Sequence, residues 1–122
     1  MRSLHITAAA RADLRAIQTH TEQKFGPAAR ARYAVLLAQA LRDLSENPLR
    51  PGSLKRPEIG PDLLTYHISF SKNRSRSTYG AVRTPRHLIL YMLEGDSILA
   101  ILRVLHDGMD IRRHVPTTPR RR

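Results

Sequence analysis

The stretch "RHLILYMLEGDSILAILRVL", residues 86–105, decides the fold. Residues 86–94 are apolar on both faces, as a strand flanked on both sides and covered above and below would be. Glu94, Gly95 and Asp96 supply a tight turn, and residues 97–105 return as a second strand, so the segment predicts an antiparallel hairpin. Near its end Arg103 interrupts the apolar run. Extended alternation puts Ile98, Ala100, Leu102 and Val104 on one face, and Leu99, Ile101, Arg103 and Leu105 on the other. A guanidinium there is costly without a hydrogen-bonding partner, such as Asp107 or Asp110, or a place at the sheet rim. On the same alternation His106 faces away from Arg103.

Upstream, "LLTYHISFS" (63–71) alternates Leu64, Tyr66, Ile68 and Phe70 with Thr65, His67 and Ser69, which predicts a third strand with one wet face. Residues 72–85 hold four bases and no acid and read as a mobile basic loop. Residues 48–62 hold four prolines, two glycines and no period; they read as a surface loop carrying Lys55 and Arg56.

The first third of the chain is helical in pattern. "SLHIT" (3–7) reads as a short strand with Leu4 and Ile6 on one face, and Thr7 can cap a helix starting at residue 8. In "AAARADLRAIQTHTEQKF", Ala10, Leu14, Ile17, Thr21 and Phe25 form one stripe at helical spacing. Gly26 ends that helix, and Pro27 suits the first turn of the next. The second helix runs to about Asn47 and buries Tyr33, Leu37, Ala40 and Leu44 before Pro48 stops it. So short a link makes the helices antiparallel. The expected fold is α+β: a strand, a helical hairpin, then a three-stranded antiparallel meander, with the helices packed on one face of a small sheet. Residues 1–115 read as one domain and residues 116–122 as a basic C-terminal tail.

A chain of 122 residues supports one core. The longest apolar run, "LILYML" (88–93), is far short of a membrane span, and the N-terminus has no apolar signal-like stretch. No membrane association and a cytoplasmic location are expected. There is no cysteine, hence no disulfide and no thiol nucleophile. Charge is the strongest compositional signal: 21 basic residues, 18 of them arginine, against 10 acidic give +11. Residues 1–47 contribute +3 and residues 48–122 contribute +8, so the second half is expected to meet an acidic or polyanionic partner.

Specific chemistry is sparse. His67, His87, His106 and His114 lack the spacing of zinc ligands, and no glycine-rich phosphate loop or nucleophile elbow occurs, so neither metal nor cofactor is expected. A metal-free RNA-cleaving site is the more serious candidate; Arg103, His106, Arg83, Lys55 and Tyr91 are the groups for it. No acid–base pair is fixed by local spacing, and Tyr91 reads equally as core. The expected catalytic set is therefore empty, with Arg103 and His106 as the alternative. A plain nucleic-acid-binding module ranks lower still, for want of aromatic stacking platforms or a recognition helix.

Three stretches carry a family resemblance. "AAARADLRAIQTHTEQKFG" resembles the first helix of ParE-type toxins, "ALRDLSENPLRPG" their second-helix exit, and "ILRVLHDGMDIRRHV" their terminal "RVLHxxMD" signature. "SFSKNRSRSTYGAVRTP" departs from the pattern as a longer basic insertion. The resemblance implies the toxin of a type II toxin–antitoxin pair with the RelE/ParE fold, and a ParD-like antitoxin that wraps it in a hetero-oligomer. ParE-like members are associated with poisoning DNA gyrase, and RelE-like relatives with cleaving mRNA on the ribosome. With three lysines in the chain, the lysine-rich cleft of the nuclease branch is not evident, which favours gyrase. The expected target-binding residues are Arg83, Arg86, Arg103, His106, Asp110, Arg112 and Arg113. The expected antitoxin contacts are Leu14, Ile17, Tyr33, Leu37, Lys55 and Arg56.

Overall fold

Thr7 sits between the first strand, β1 (Ser3–Ile6), and the first helix, α1 (Ala8–Phe25), and its hydroxyl accepts the Ala10 amide as an N-cap. This computed structural model describes residues 1–115; the basic tail at 116–122 lies outside the described residues. Gly26, at φ 95°, closes α1 in a backbone conformation that side-chain-bearing residues resist. Pro27 then opens α2 (Pro27–Glu46).

Four strands come next, β2 (Ser53–Lys55), β3 (Leu64–His67), β4 (His87–Glu94) and β5 (Ile98–His106), with 3₁₀ turns at Ile68–Arg74 and Ile111–His114. The sheet order is β1-β5-β4-β3-β2. β1 runs parallel to β5, and the other pairings are antiparallel. The expected meander is β3–β4–β5, extended by one short strand at each edge. The fold is α+β, with both helices on one face of the sheet. Between them lies a core of Ala10, Ile17, Tyr33, Leu36, Leu37, Ala40 and Leu44 against Tyr66, Ile89, Tyr91, Leu99, Ile101 and Val104. Each fully buried aliphatic side chain in it contributes about 1.5–3 kcal/mol.

Five local expectations need correction. Residues 48–62 include β2, a strand of three residues that is too short to show a period. β3 stops at His67, where the ring accepts the Ser69 amide and starts the 3₁₀ turn; Ile68 goes into the core and Phe70 swings out. The wet face of β3 is absent, because Thr65 is covered and takes a hydrogen bond from Arg56. Phe25 does not join the α1 stripe: it is 66% exposed, with the Lys24 ammonium over its ring. Finally, the β4–β5 register skips Leu102, pairing Tyr91 with Ile101 but Leu90 with Arg103. This bulge shifts the alternation by one, so Val104 joins Leu99 and Ile101 in the helix-side core.

Candidate functional site

β1 stops pairing at Ile6–Ile101, which leaves the edge of β5 open from Leu102 onward. α1 crosses that opening. The Thr7 hydroxyl lies 2.9 and 3.0 Å from the Ile101 and Leu102 carbonyls, and Asp13, further along α1, accepts the Val104 amide at 2.9 Å. Asp13 also takes Arg103 in a two-pronged pair, 2.7 Å from Nε and 2.9 Å from Nη2. Arg103 Nη1 donates to the His114 carbonyl at 2.9 Å. The Asp13 hydrogen bond is the main reason the Arg103 pKa is raised. The arginine in the apolar run is thus answered by Asp13, not by Asp107 or Asp110, and it ties α1, β5 and the terminal turn together.

The far end of β5 builds a different cluster. Asp107 accepts His67 Nε2 at 3.0 Å and the Arg86 guanidinium at 3.0–3.3 Å, while its amide donates to the Arg86 carbonyl. The His67 bond, then Arg86, holds its carboxyl below the usual range. Tyr33 accepts the Arg86 amide at 3.0 Å, so its one proton is free to go to His87 Nδ1, 2.7 Å away. Burial, helped by the neighbouring His106, pushes His87 down to about 4, and burial raises Tyr33. His106 stacks edge-on against His87 at 5.5 Å, and its Nδ1 accepts the Gly108 amide. In His67 and His106 Nδ1 accepts a backbone amide and Nε2 is the nitrogen left to donate, while His87 Nδ1 is engaged by the Tyr33 hydroxyl. Among the described residues no group of three or more histidines and carboxylates is placed to hold a metal.

Above this cluster lies a groove of about 780 Å³. One wall is the end of α1 and the start of α2, with His20, Lys24, Phe25 and Arg32. The other is the segment 79–86, and the floor is Tyr33, His87 and His106. Not one carboxylate lines it. Arg32 Nη1 donates to the Tyr79 carbonyl and Lys72 Nζ to the Arg83 carbonyl, so the basic loop is anchored at both ends of this wall. A smaller hollow of about 370 Å³ lies beside Leu49, Lys55, Arg56, Leu63, Leu64 and Leu93.

Of the residues singled out in the sequence, Arg83, Arg86 and His106 come together in the groove, with Tyr33 beneath them. Arg103 lies apart from them in its pair with Asp13. Asp110, Arg112 and Arg113 occupy the exposed exit, where Asp110 caps the terminal turn through the Arg112 amide and lies 3.8 Å from Arg113. Ile17, Tyr33 and Leu37 are buried and Leu14 half-buried, all with the helix–sheet core. Lys55 is exposed, while Arg56 is paired with Glu58. The RNA-cleaving set does not assemble, since Tyr91 is fully buried with its hydroxyl on the Pro48 carbonyl. Sequence reading missed Asp13, Lys24, Arg32 and Tyr79, all placed by tertiary structure; it named Asp107 only as a partner for Arg103 and assigned Phe25 to the buried α1 stripe.

Among the described residues no helix is long and apolar enough to cross a membrane. A family model described as the ParE toxin of type II toxin–antitoxin systems, parDE, matches residues 4–111, from β1 to the start of the terminal turn. No curated protein matches the chain.

Proposed function

Because the chain belongs to the ParE toxin family of type II toxin–antitoxin systems, we propose that it arrests growth in the cytoplasm by binding and poisoning DNA gyrase. A ParD-like antitoxin neutralises it within a toxin–antitoxin hetero-oligomer. The observation that carries the non-catalytic reading is the separation of Arg103 from His106. Arg103 is spent on Asp13 and His114, whereas His106 belongs to the histidine cluster, so the two groups are held in separate networks. Target contact then rests on the groove bases Arg83 and Arg86 with His106, and on the exposed exit at Asp110, Arg112 and Arg113. Arg103 serves as a positioning residue for that exit. The hollow beside Lys55 and Arg56, lined by four leucines and by Asp62, suits an apolar antitoxin segment with an acid for the exposed Lys55, and Leu14, Ile17, Tyr33 and Leu37 contribute by shaping the helices more than by contact.

One observation favours the second reading, a ribosome-dependent mRNA endoribonuclease: His106, His87 and Arg86 share a groove. Induced expression separates the two. Growth should stop while ribosome-bound mRNA stays intact, and co-expression of the cognate antitoxin should restore it. Cleaved mRNA at the onset of arrest would establish the ribonuclease instead.

A further inference from the structure

The groove carries two features that gyrase binding does not require. Its sixteen lining residues include four permanent cations, Lys24, Arg32, Arg83 and Arg86, and three imidazoles, with no acid among them. It also presents two rings that the fold leaves uncovered, Phe25 at 66% and Tyr79 at 55% exposure. Buried aromatics are ordinary core; exposed rings beside unpaired cations match a ligand that is flat and anionic at once.

The cations are not equivalent. Arg86 is neutralised by Asp107, and Arg32 is occupied with the Tyr79 carbonyl. Lys24 and Arg83 have no carboxylate partner among the described residues. The floor adds a directed donor: His106 Nδ1 accepts the Gly108 amide, which leaves its Nε2 to donate to an incoming oxygen. The Lys24 ammonium lies 5.7 Å from the Phe25 ring centroid, so charge and ring face occur together on the α1 wall. On the other wall Tyr79 rides on Arg32, and Gly80, at φ 97°, lets that backbone pass close to the Arg32 side chain.

We propose that this groove binds single-stranded nucleic acid, with a backbone phosphate held by Lys24, Arg83 and the imidazoles, and an unpaired base stacked on Tyr79. An acidic peptide would satisfy the charge but gain nothing from flat ring faces; a nucleotide places a phosphate and a planar base within one such groove. Such binding is independent of gyrase and does not require cleavage.

The test is fluorescence anisotropy of the full chain with labelled hexathymidylate DNA, with labelled hexaglutamate as the competing chemistry. Hexathymidylate should bind saturably at low salt. Arg83→Glu should weaken it about tenfold and lower the salt slope by about 0.7–1, the loss of one phosphate contact. Tyr79→Ala should weaken it at least about fivefold, the loss of one stacked base. Arg42→Glu changes net charge equally on α2, away from the groove, and should have less than about a twofold effect. Matching melting curves will verify that the variants fold. Absence of saturable binding overturns the proposal, as does an equal loss in Arg42→Glu, which would reduce it to net charge. Hexaglutamate binding as tightly, with no effect of Tyr79→Ala, also overturns it and makes the groove a peptide site.

Discussion

Asp13 of α1 and Arg103 of β5, ninety residues apart, meet in a two-pronged ion pair at 2.7 and 2.9 Å across the open edge of the sheet. The same carboxylate takes the Val104 amide, and the same guanidinium takes the His114 carbonyl. Removing Asp13 therefore frees α1 from both Arg103 and the strand edge, whereas removing Arg103 frees the terminal turn and leaves the Asp13–Val104 bond.

Arg103→Ala should lower unfolding free energy by about 2 kcal/mol, as expected for a charge-assisted, partly buried pair. A double-mutant cycle with Asp13→Asn should show a coupling of about 1–2 kcal/mol in urea unfolding. Additive losses would mean that the pair does not act as a unit. Arg103→Lys keeps the charge but not the fork, and should fall between wild type and alanine.

Asp43, near the end of α2, is 1% exposed and holds a second network. It accepts from Gln39 and Ser71 and pairs with Arg50 and Arg74, while Ser71 also meets the Tyr66 hydroxyl. Asp43→Ala leaves Arg50 mostly covered and without its anion. The urea midpoint should fall, at unchanged slope, by the equivalent of about 3 kcal/mol. A variant within about 0.5 kcal/mol of wild type would show that these groups find water or other partners.

The helical hairpin and the strand pair at 86–105 were legible because period, capping residues and turn chemistry agreed within short windows. Thr7, Gly26, Pro27 and the Glu94–Asp96 turn all act as their types require. The illegible part depends on partners distant in sequence. Nothing in "RADLR" says that Asp13 will meet residue 103, and one bulge at Leu102 moved Val104 into the core. The site was half legible: charge pointed to Arg83 and Arg86. The acid-free wall, the exposed rings of Phe25 and Tyr79 and the imidazole cluster exist only once α1, α2 and the 79–86 segment converge.

His87 makes stability fall in acid. Its pKa is about 4 in the fold and near 6.5 when unfolded, so between those values the unfolded chain binds the extra proton. Stability from this residue is full above pH 6.5 and is lost as pH falls toward 4, on the order of 2 kcal/mol once its partial exposure is discounted. Asp107 acts lower. Its contribution is complete above the ordinary carboxylate pKa of 3.8 and disappears as pH falls through its depressed folded value. His87→Gln, which can still accept from Tyr33, should flatten the pH 4–6.5 part of the curve. An unchanged curve would remove His87 as the cause.

The most direct measurement is a supercoiling assay with purified gyrase, relaxed plasmid and the purified toxin, with and without its antitoxin. If the toxin poisons gyrase, supercoiling falls with toxin concentration, cleaved or relaxed plasmid accumulates, and the antitoxin restores the reaction. If supercoiling is untouched while the same preparation cuts mRNA on the ribosome, the gyrase reading is contradicted.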